Sequence, residues 1–308
     1  MAILIVGKHR TLDEWKNAFA EFDSGISIYH FEEEYPKEEI TYAISWNHPE
    51  GYFNRLTNLQ VIASLGAGVD HILKDTSIPD YIKITRIVDD KLTTDMADFV
   101  LLCCLNYTRN THLYFKQQQY AKWKQYSYSS PNQLQVGVLG YGELGKAVSQ
   151  KLVSNGFKVR ALANSSKENE PIPVYVKDEL TDFMQDLDIL VCLLPLTEQT
   201  KGFLNRNLFQ LANKAFYLVN VARGAHLVEN DLLEALQNEQ ILGAHLDVFT
   251  EEPIPEKHPF WSLPKISISP HVASQTSPSS VTQQLYENYV RMQKNQELIN
   301  LVDRNKAY

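Results

Sequence analysis

Positive charge is thinly spread along this chain: 29 lysines and arginines face 37 acidic residues, and no basic block could neutralise a run of phosphates. Nucleic acid is therefore not an expected partner. Cysteine is scarce too, and Cys103, Cys104 and Cys192 offer neither an even disulfide framework nor metal-ligand spacing. No metal is expected, and buried packing is the reading of all three thiols. Apolar runs such as Phe99 to Leu105 stop well short of the ~20 residues that cross a bilayer. The apolar start Met1 to Gly7 lacks a basic flank and runs into Lys8-His9-Arg10, unlike a signal peptide. A soluble, cytoplasmic protein with no membrane partner is expected. There is no internal repeat, and the net charge of −8 is mild for 308 residues, so a small anion would need a local positive site.

What is present is an α/β rhythm. At 308 residues and 44% hydrophobic content the chain is long enough for two cores. Short apolar runs at Ile3 to Val6, Ile26 to Tyr29, Tyr42 to Trp46 and Leu59 to Leu65 alternate with helical patterns such as Leu12, Trp15, Ala18, Phe19, Phe22. A second series follows Pro131: Leu134 to Leu139, Val159 to Leu162, Ile189 to Leu194, Phe216 to Val219, Ile241 to Leu246 and Ile266 to Ile268. Their nearly unbroken apolarity suits parallel strands covered on both faces. Between the series lies an amphipathic stretch from Thr94 to about Tyr120, so a boundary is expected near residue 100 or 130.

The second series opens on a strand entering Gly140-Tyr141-Gly142-Glu143-Leu144-Gly145, with a helix pattern after it. This is the strand-turn-helix context of a dinucleotide fingerprint, in which backbone amides at the helix start meet a pyrophosphate. S-adenosylmethionine methyltransferases also begin with a glycine-rich loop, so the loop alone leaves that alternative open. NAD sites usually carry Asp or Glu about 20 residues on, to bind the ribose 2′-hydroxyl. Here the strand Val159 to Ala163 ends in Asn164-Ser165-Ser166-Lys167, with no carboxylate and several donors. A 2′-phosphate is not repelled there, so NADPH is the better expectation, with NADH possible.

Three later segments each place a polar residue at or just past a strand end, where open α/β sheets bind ligands. They are Asn220-Val221-Ala222-Arg223-Gly224, Asp247-Val248-Phe249-Thr250-Glu251-Glu252-Pro253 and Pro270-His271-Val272-Ala273-Ser274. Each has a bland reading alone, as a turn or a structural hydrogen-bonder. In this order behind the glycine loop, they resemble the D-isomer-specific 2-hydroxyacid dehydrogenase family over essentially the whole chain.

The resemblance implies that Arg223 binds the substrate carboxylate and polarises the 2-keto oxygen, that His271 gives that oxygen its proton, and that Glu252 hydrogen-bonds His271. The chemistry agrees: an imidazolium is the best acid near neutral pH, a neighbouring carboxylate favours and orients it, and a guanidinium matches a carboxylate. Glu251 is the rival of Glu252. The resemblance further implies cofactor contacts at Leu194, Pro195, Thr200, Val221, Ala222 and Asp247, the last facing the nicotinamide carboxamide. Ala67 and Gly68, in Ser64 to Asp70, would grip the substrate carboxylate through backbone amides, and Trp46 would wall the pocket. The stretch Arg86 to Phe99 looks like the short glyoxylate/hydroxypyruvate reductase branch, acting on a small 2-keto acid.

The fold so implied is two Rossmann-like, doubly wound parallel-sheet domains with a cleft between them. Residues 1–100 and 275–308 would form a discontinuous flavodoxin-like substrate domain closed by a helix over Gln275 to about Leu298. Residues 101–274 would form the dinucleotide domain, and a homodimer is expected. Two other readings are a non-catalytic NAD(P)H sensor resembling corepressors, and a dehydrogenase for a larger D-2-hydroxy acid.

Overall fold

The computed structural model describes residues 1–7, 12–304 and 306. The basic run Lys8-His9-Arg10 and the side chain of Leu12 lie outside the described residues. The chain divides into two compact units, Met1–Lys91 with Thr276–Tyr308, and Leu92–Gln275. The division falls earlier than residue 100 or 130 because the helix Asp90–Thr108 runs unbroken through the first crossing, leaving no linker to mark it.

The first unit contains β1 (Ala2–Val6), α1 (Leu12–Ala20), β2 (Ser27–His30), β3 (Ile40–Ser45), β4 (Val61–Ser64), α2 (Asp70–Leu73) and β5 (Lys83–Thr85). Its sheet runs β2-β1-β3-β4-β5, and every pairing is parallel. β1 and β3 are buried along their whole length, the pattern of a sheet covered on both faces. β5 is absent from the sequence reading, being three residues long with Lys83 exposed. Of the expected stripe, Trp15 and Phe19 on α1 are buried, and Phe22, past its end, stacks on Tyr286 at 5.3 Å.

The second unit takes most of α3 (Asp90–Thr108), then α4 (Thr111–Gln119), β6 (Gln135–Leu139), α5 (Glu143–Ser154), β7 (Lys158–Leu162), β8 (Val174–Tyr175), α6 (Leu180–Met184), β9 (Ile189–Cys192), α7 (Arg206–Gln210), β10 (Phe216–Asn220), α8 (Glu229–Gln237), β11 (Ile241–Leu246) and β12 (Ile266–Ile268). The amphipathic stretch from Thr94 to about Tyr120 forms two helices, broken where Asn110 takes a left-handed φ of 56°. All-parallel pairing gives the order β12-β11-β10-β9-β6-β7-β8. The chain enters at β6, winds outward to β8, then returns to β9 and winds the other way. The reversal between β6 and β9 is the switch point at which such sheets bind ligands.

Packing fixes these elements. α5 buries Gly145, Val148, Ser149 and Leu152, one stripe at helical spacing, and α8 buries Leu232, Ala235 and Leu236 in the same way. Phe183 is fully buried against the sheet, where truncation of such a ring costs roughly 3–5 kcal/mol. The chain then returns to the first unit as α9 (Pro278–Gln293), shorter at both ends than expected, because Pro278 opens it and Lys294 closes it. Tyr289 of α9 donates to the Met1 carbonyl, tying the end of the chain to its start. No helix among the described residues is long and apolar enough to cross a membrane.

Candidate active site

The glycine turn follows β6 at the switch point. Gly140 has φ of 101°, a left-handed conformation that side chains resist, and a Cβ there would lie 2.8 Å from the Leu193 carbonyl oxygen. Leu194, just past β9, is thereby brought against the turn. A Cβ on Gly145 would lie 2.0 Å from the Gly140 oxygen, so only glycine lets α5 close on the strand. At Gly142 a Cβ would meet nothing within 4 Å, so space stands over this backbone. Gly142 caps α5 without a side-chain hydrogen bond, leaving the helix start to present its amides. Open space, bare amides and the positive end of a twelve-residue helix fit a dinucleotide pyrophosphate. Asn164, Ser165, Ser166 and Lys167 follow β7, all exposed.

Three polar residues, Arg223, Glu252 and His271, follow β10, β11 and β12. Fully buried Asn220 ends β10 and folds the next turn, donating through Nδ2 to the Arg223 carbonyl and accepting from the Ala222 amide. Val221 and Ala222 are buried, and the half-buried Arg223 donates through Nη1 to the Ala222 carbonyl at 2.7 Å. Gly224 comes next, where a Cβ would lie 1.9 Å from the Phe249 backbone carbon, so the Arg223 turn and the loop after β11 touch backbone to backbone. That loop delivers Glu252. Its Oε1 accepts from the Phe249 amide at 2.9 Å, and its Oε2 meets His271 Nδ1 at 2.7 Å. Glu252, not Glu251, makes this contact.

Electrostatics fixes the state of the pair. Burial pushes the Glu252 carboxyl up, but hydrogen bonds from His271 and the Phe249 amide, with the charges of His271 and Arg223, outweigh it and leave the carboxyl below its ordinary 4.5. Glu252 is thus an acceptor near neutral pH, and Nδ1 of His271 must carry the hydrogen between them. Both side chains are about one-third exposed, His271 at 32% and Glu252 at 37%, so the pair is held yet reachable.

His271 is itself a backbone outlier, with φ of 54°. Its amide donates to the Asp247 carbonyl at 2.8 Å, while the Asp247 carboxylate accepts from Ser269 Oγ and from the amides of Val272 and Ala273. Asp247 is fully buried. The structure therefore gives it a task absent from the sequence reading, which is framing the turn that carries His271.

Comparison with known proteins bears directly on this arrangement. Residues 101–273 match the family model described as D-isomer specific 2-hydroxyacid dehydrogenase, NAD binding domain. The chain belongs to that family. It is 37% identical over 273 residues to glyoxylate/hydroxypyruvate reductase A of Yersinia enterocolitica, covering 87% of each chain. It is 39% identical to the protein of that name from Photorhabdus laumondii, again over 87% of each. Among solved structures, a D-isomer specific 2-hydroxyacid dehydrogenase from Xanthobacter autotrophicus in complex with NADPH superposes with a TM-score of 0.93 at 31% identity, over 100% of this chain and 99% of that one. The NADPH-dependent glyoxylate/hydroxypyruvate reductase of Sinorhizobium meliloti, in complex with NADP and sulfate, gives 0.92 at 31% identity with both chains fully covered.

The remaining candidates of the second unit line its strand ends. Pro195 and Thr200 close one loop, Thr200 Oγ1 donating to the Pro195 carbonyl at 2.6 Å. A residue that sequence reasoning passed over, His226, joins that loop to the Arg223 turn. Its Nε2 reaches the Pro195 carbonyl at 3.3 Å, and its Nδ1 accepts from the Arg223 amide at 3.2 Å. Only its position in the Arg223 segment could have flagged it.

Trp46, Ala67 and Gly68 belong to the first unit, whose own switch point lies between β1 and β3. The Trp46 amide donates to the Val6 carbonyl across that point, and its half-buried ring lies 4.7 Å from the His71 ring. Ala67 and Gly68 are half-buried in a turn that Ser64 Oγ closes by donating to the Gly68 carbonyl at 2.7 Å. Beside them sits a buried trio. Ser45 Oγ meets His48 Nδ1 at 3.0 Å, and His48 Nε2 meets Asp75 at 3.2 Å.

Proposed function

We propose that this protein is an NADPH-dependent reductase of small 2-keto acids, with glyoxylate and hydroxypyruvate as the substrate class, yielding the D-2-hydroxy acid. The observation that carries the reading is the His271–Glu252 pair at 2.7 Å beside the Arg223 turn, in the unit whose switch point holds the glycine turn. Its relatives' names supply the substrate class.

The nicotinamide, when bound, supplies the hydride. The Gly140 to Gly145 turn would hold its pyrophosphate, and Asn164, Ser165, Ser166 and Lys167 would meet the 2′-phosphate. Arg223 grips the substrate carboxylate with its planar fork and draws charge toward the keto oxygen. As carbon two is reduced, the carbonyl electron pair moves onto oxygen, and His271 Nε2 delivers the proton there. Glu252 holds the ring through Nδ1 before and after transfer and stabilises the imidazolium that precedes it. In the first unit, Ala67, Gly68 and Trp46 are the residues proposed for substrate contact. The first unit would then be the substrate domain and the second the dinucleotide domain.

A homodimer fits the exposed aromatic run Phe115, Tyr120, Trp123 and Tyr128, with Trp123 96% exposed. Sedimentation at the mass of one chain would overturn the dimer. The three cysteines are buried and unpaired, as suits a reducing, cytoplasmic setting. The enzymatic reading is tested by following reduced-cofactor oxidation with glyoxylate, hydroxypyruvate and larger 2-keto acids. Turnover with the two small acids and a higher kcat/KM for NADPH than NADH is expected. No turnover with any 2-keto acid sinks the reading, and a preference for NADH sinks its cofactor assignment.

A further inference from the structure

The loop between β7 and β8 bears the exposed run Asn164 to Lys167, and just beyond it stands Glu170. Glu170 is 18% exposed and uses its two oxygens on two different residues of the glycine turn and its helix. Oε2 accepts from the Tyr141 hydroxyl at 3.1 Å, and Oε1 meets the Lys146 ammonium at 3.0 Å. Tyr141 lies inside the glycine fingerprint and is 4% exposed, so it is a fixed anchor. Lys146 sits in the first turn of α5 with its ammonium 5.6 Å from the Tyr141 ring centroid, which completes a closed triangle.

Two physical consequences follow. An exposed polar loop is costly to order when a ligand arrives, and two-point anchoring removes part of that cost in advance. The carboxylate also engages Lys146, while Lys167 lies in the exposed run of the loop itself. The sequence pattern lacks an acidic residue at the strand end, and the fold brings one to the glycine turn from further along the loop, with its oxygens turned to the protein.

We propose that Glu170 is a positioning residue for cofactor choice: by clipping the loop after β7 to the glycine turn, it pre-arranges Ser165, Ser166 and Lys167 for the 2′-phosphate that separates NADPH from NADH. The inference rests on the cofactor reading above. It is tested by titrating the full-length protein with NADPH and with NADH, without keto acid, and reading Kd from fluorescence. In Glu170→Ala the Kd for NADPH rises about tenfold while that for NADH stays within about twofold, since only the phosphate donors lose their arrangement. Tyr141→Phe, which removes one anchor and keeps the charge, shifts the NADPH value in the same direction by about threefold.

Equal weakening of both cofactors in Glu170→Ala overturns the proposal, because the loop would then be general scaffolding. An unchanged NADPH Kd overturns it as well. So does tighter NADPH binding in Glu170→Gln, which would make Glu170 a repelling charge and not a clip. If the wild-type protein bound neither cofactor, the cofactor reading itself would fail, an outcome distinct from all of these.

Discussion

The pairs His48–Asp75 and His271–Glu252 each join a histidine to a carboxylate beyond a strand end, and their surroundings differ sharply. His48 and Asp75, in the first unit, lie 3.2 Å apart with side chains 1% and 3% exposed. His271 and Glu252, in the second, lie 2.7 Å apart and about one-third exposed. With Ser45, the first pair has the composition of a hydrolytic triad. It lacks the geometry: Ser45 is fully buried, and both ring nitrogens of His48 are occupied. Asp75 also receives the amides of Gly51 and Ser77 and the Ser77 hydroxyl, so it is a hub for turns. Residue types alone do not make a catalytic pair; the pair must also be exposed enough to meet a substrate.

The largest expected effect breaks the comparison at His271. Asparagine tolerates a left-handed backbone, so His271→Asn removes the acid proposed above and keeps the turn, and kcat/KM should fall about a thousandfold with little change in unfolding midpoint. His48→Gln should do the reverse, leaving kcat within a few-fold and lowering stability. If His48→Gln lost as much activity as His271→Asn while remaining fully folded, the two pairs would not differ in use.

Next in size is the carboxylate behind each ring. Asp75→Asn weakens several buried hydrogen bonds at once and should cost roughly 2–3 kcal/mol in urea unfolding. Glu252→Gln, at an open site, should cost little stability but slow turnover about 10-fold or more, because the ring loses its fixed tautomer. Equal stability losses in the two variants would show that burial does not separate them.

The smallest effect is a pH slope. Burial holds His48, His112 and His245 below the ordinary 6.5, since the buried charged form is disfavoured. The unfolded chain then binds protons that the native state refuses, so stability is unaffected above 6.5 and declines as pH falls below it. The depressed carboxyls of Glu252 and Asp75 act in the same sense further down: their contribution is complete above their ordinary 4.5 and 3.8 and disappears as pH falls through the lower folded values. Thermal midpoints measured between neutral and mildly acid pH should fall, and His48→Gln should flatten the slope. A slope unchanged by that substitution would remove His48 from the account.

Much of the fold was legible because its strands are buried on both faces and so appear as continuous apolar runs. The two strands missed, β5 and β8, are short edge strands of three and two residues, too brief to leave such a run. The break between α3 and α4 escaped because it depends on the backbone of Asn110, not on hydrophobic pattern. At the site, Arg223, Glu252 and His271 stood out because each lies in its own segment at a strand end. Contacts between distant segments left no such mark. His226 meets Pro195 across 31 residues, Glu170 meets Tyr141 across 29 and Asp75 meets His48 across 27, and no local pattern encodes such distances.

The second unit is one continuous stretch, whereas the first is assembled from both ends of the chain. Val302 donates to the Ile84 carbonyl and Tyr289 to the Met1 carbonyl, so the early half cannot be completed until the final segment has been made. During synthesis the middle of the molecule can therefore mature on the ribosome while the beginning waits, exposed, for its last helix. Protease treatment of ribosome-stalled chains should find Leu92–Gln275 resistant while Met1–Lys91 is still cut, and early resistance of the leading segment would reverse that order.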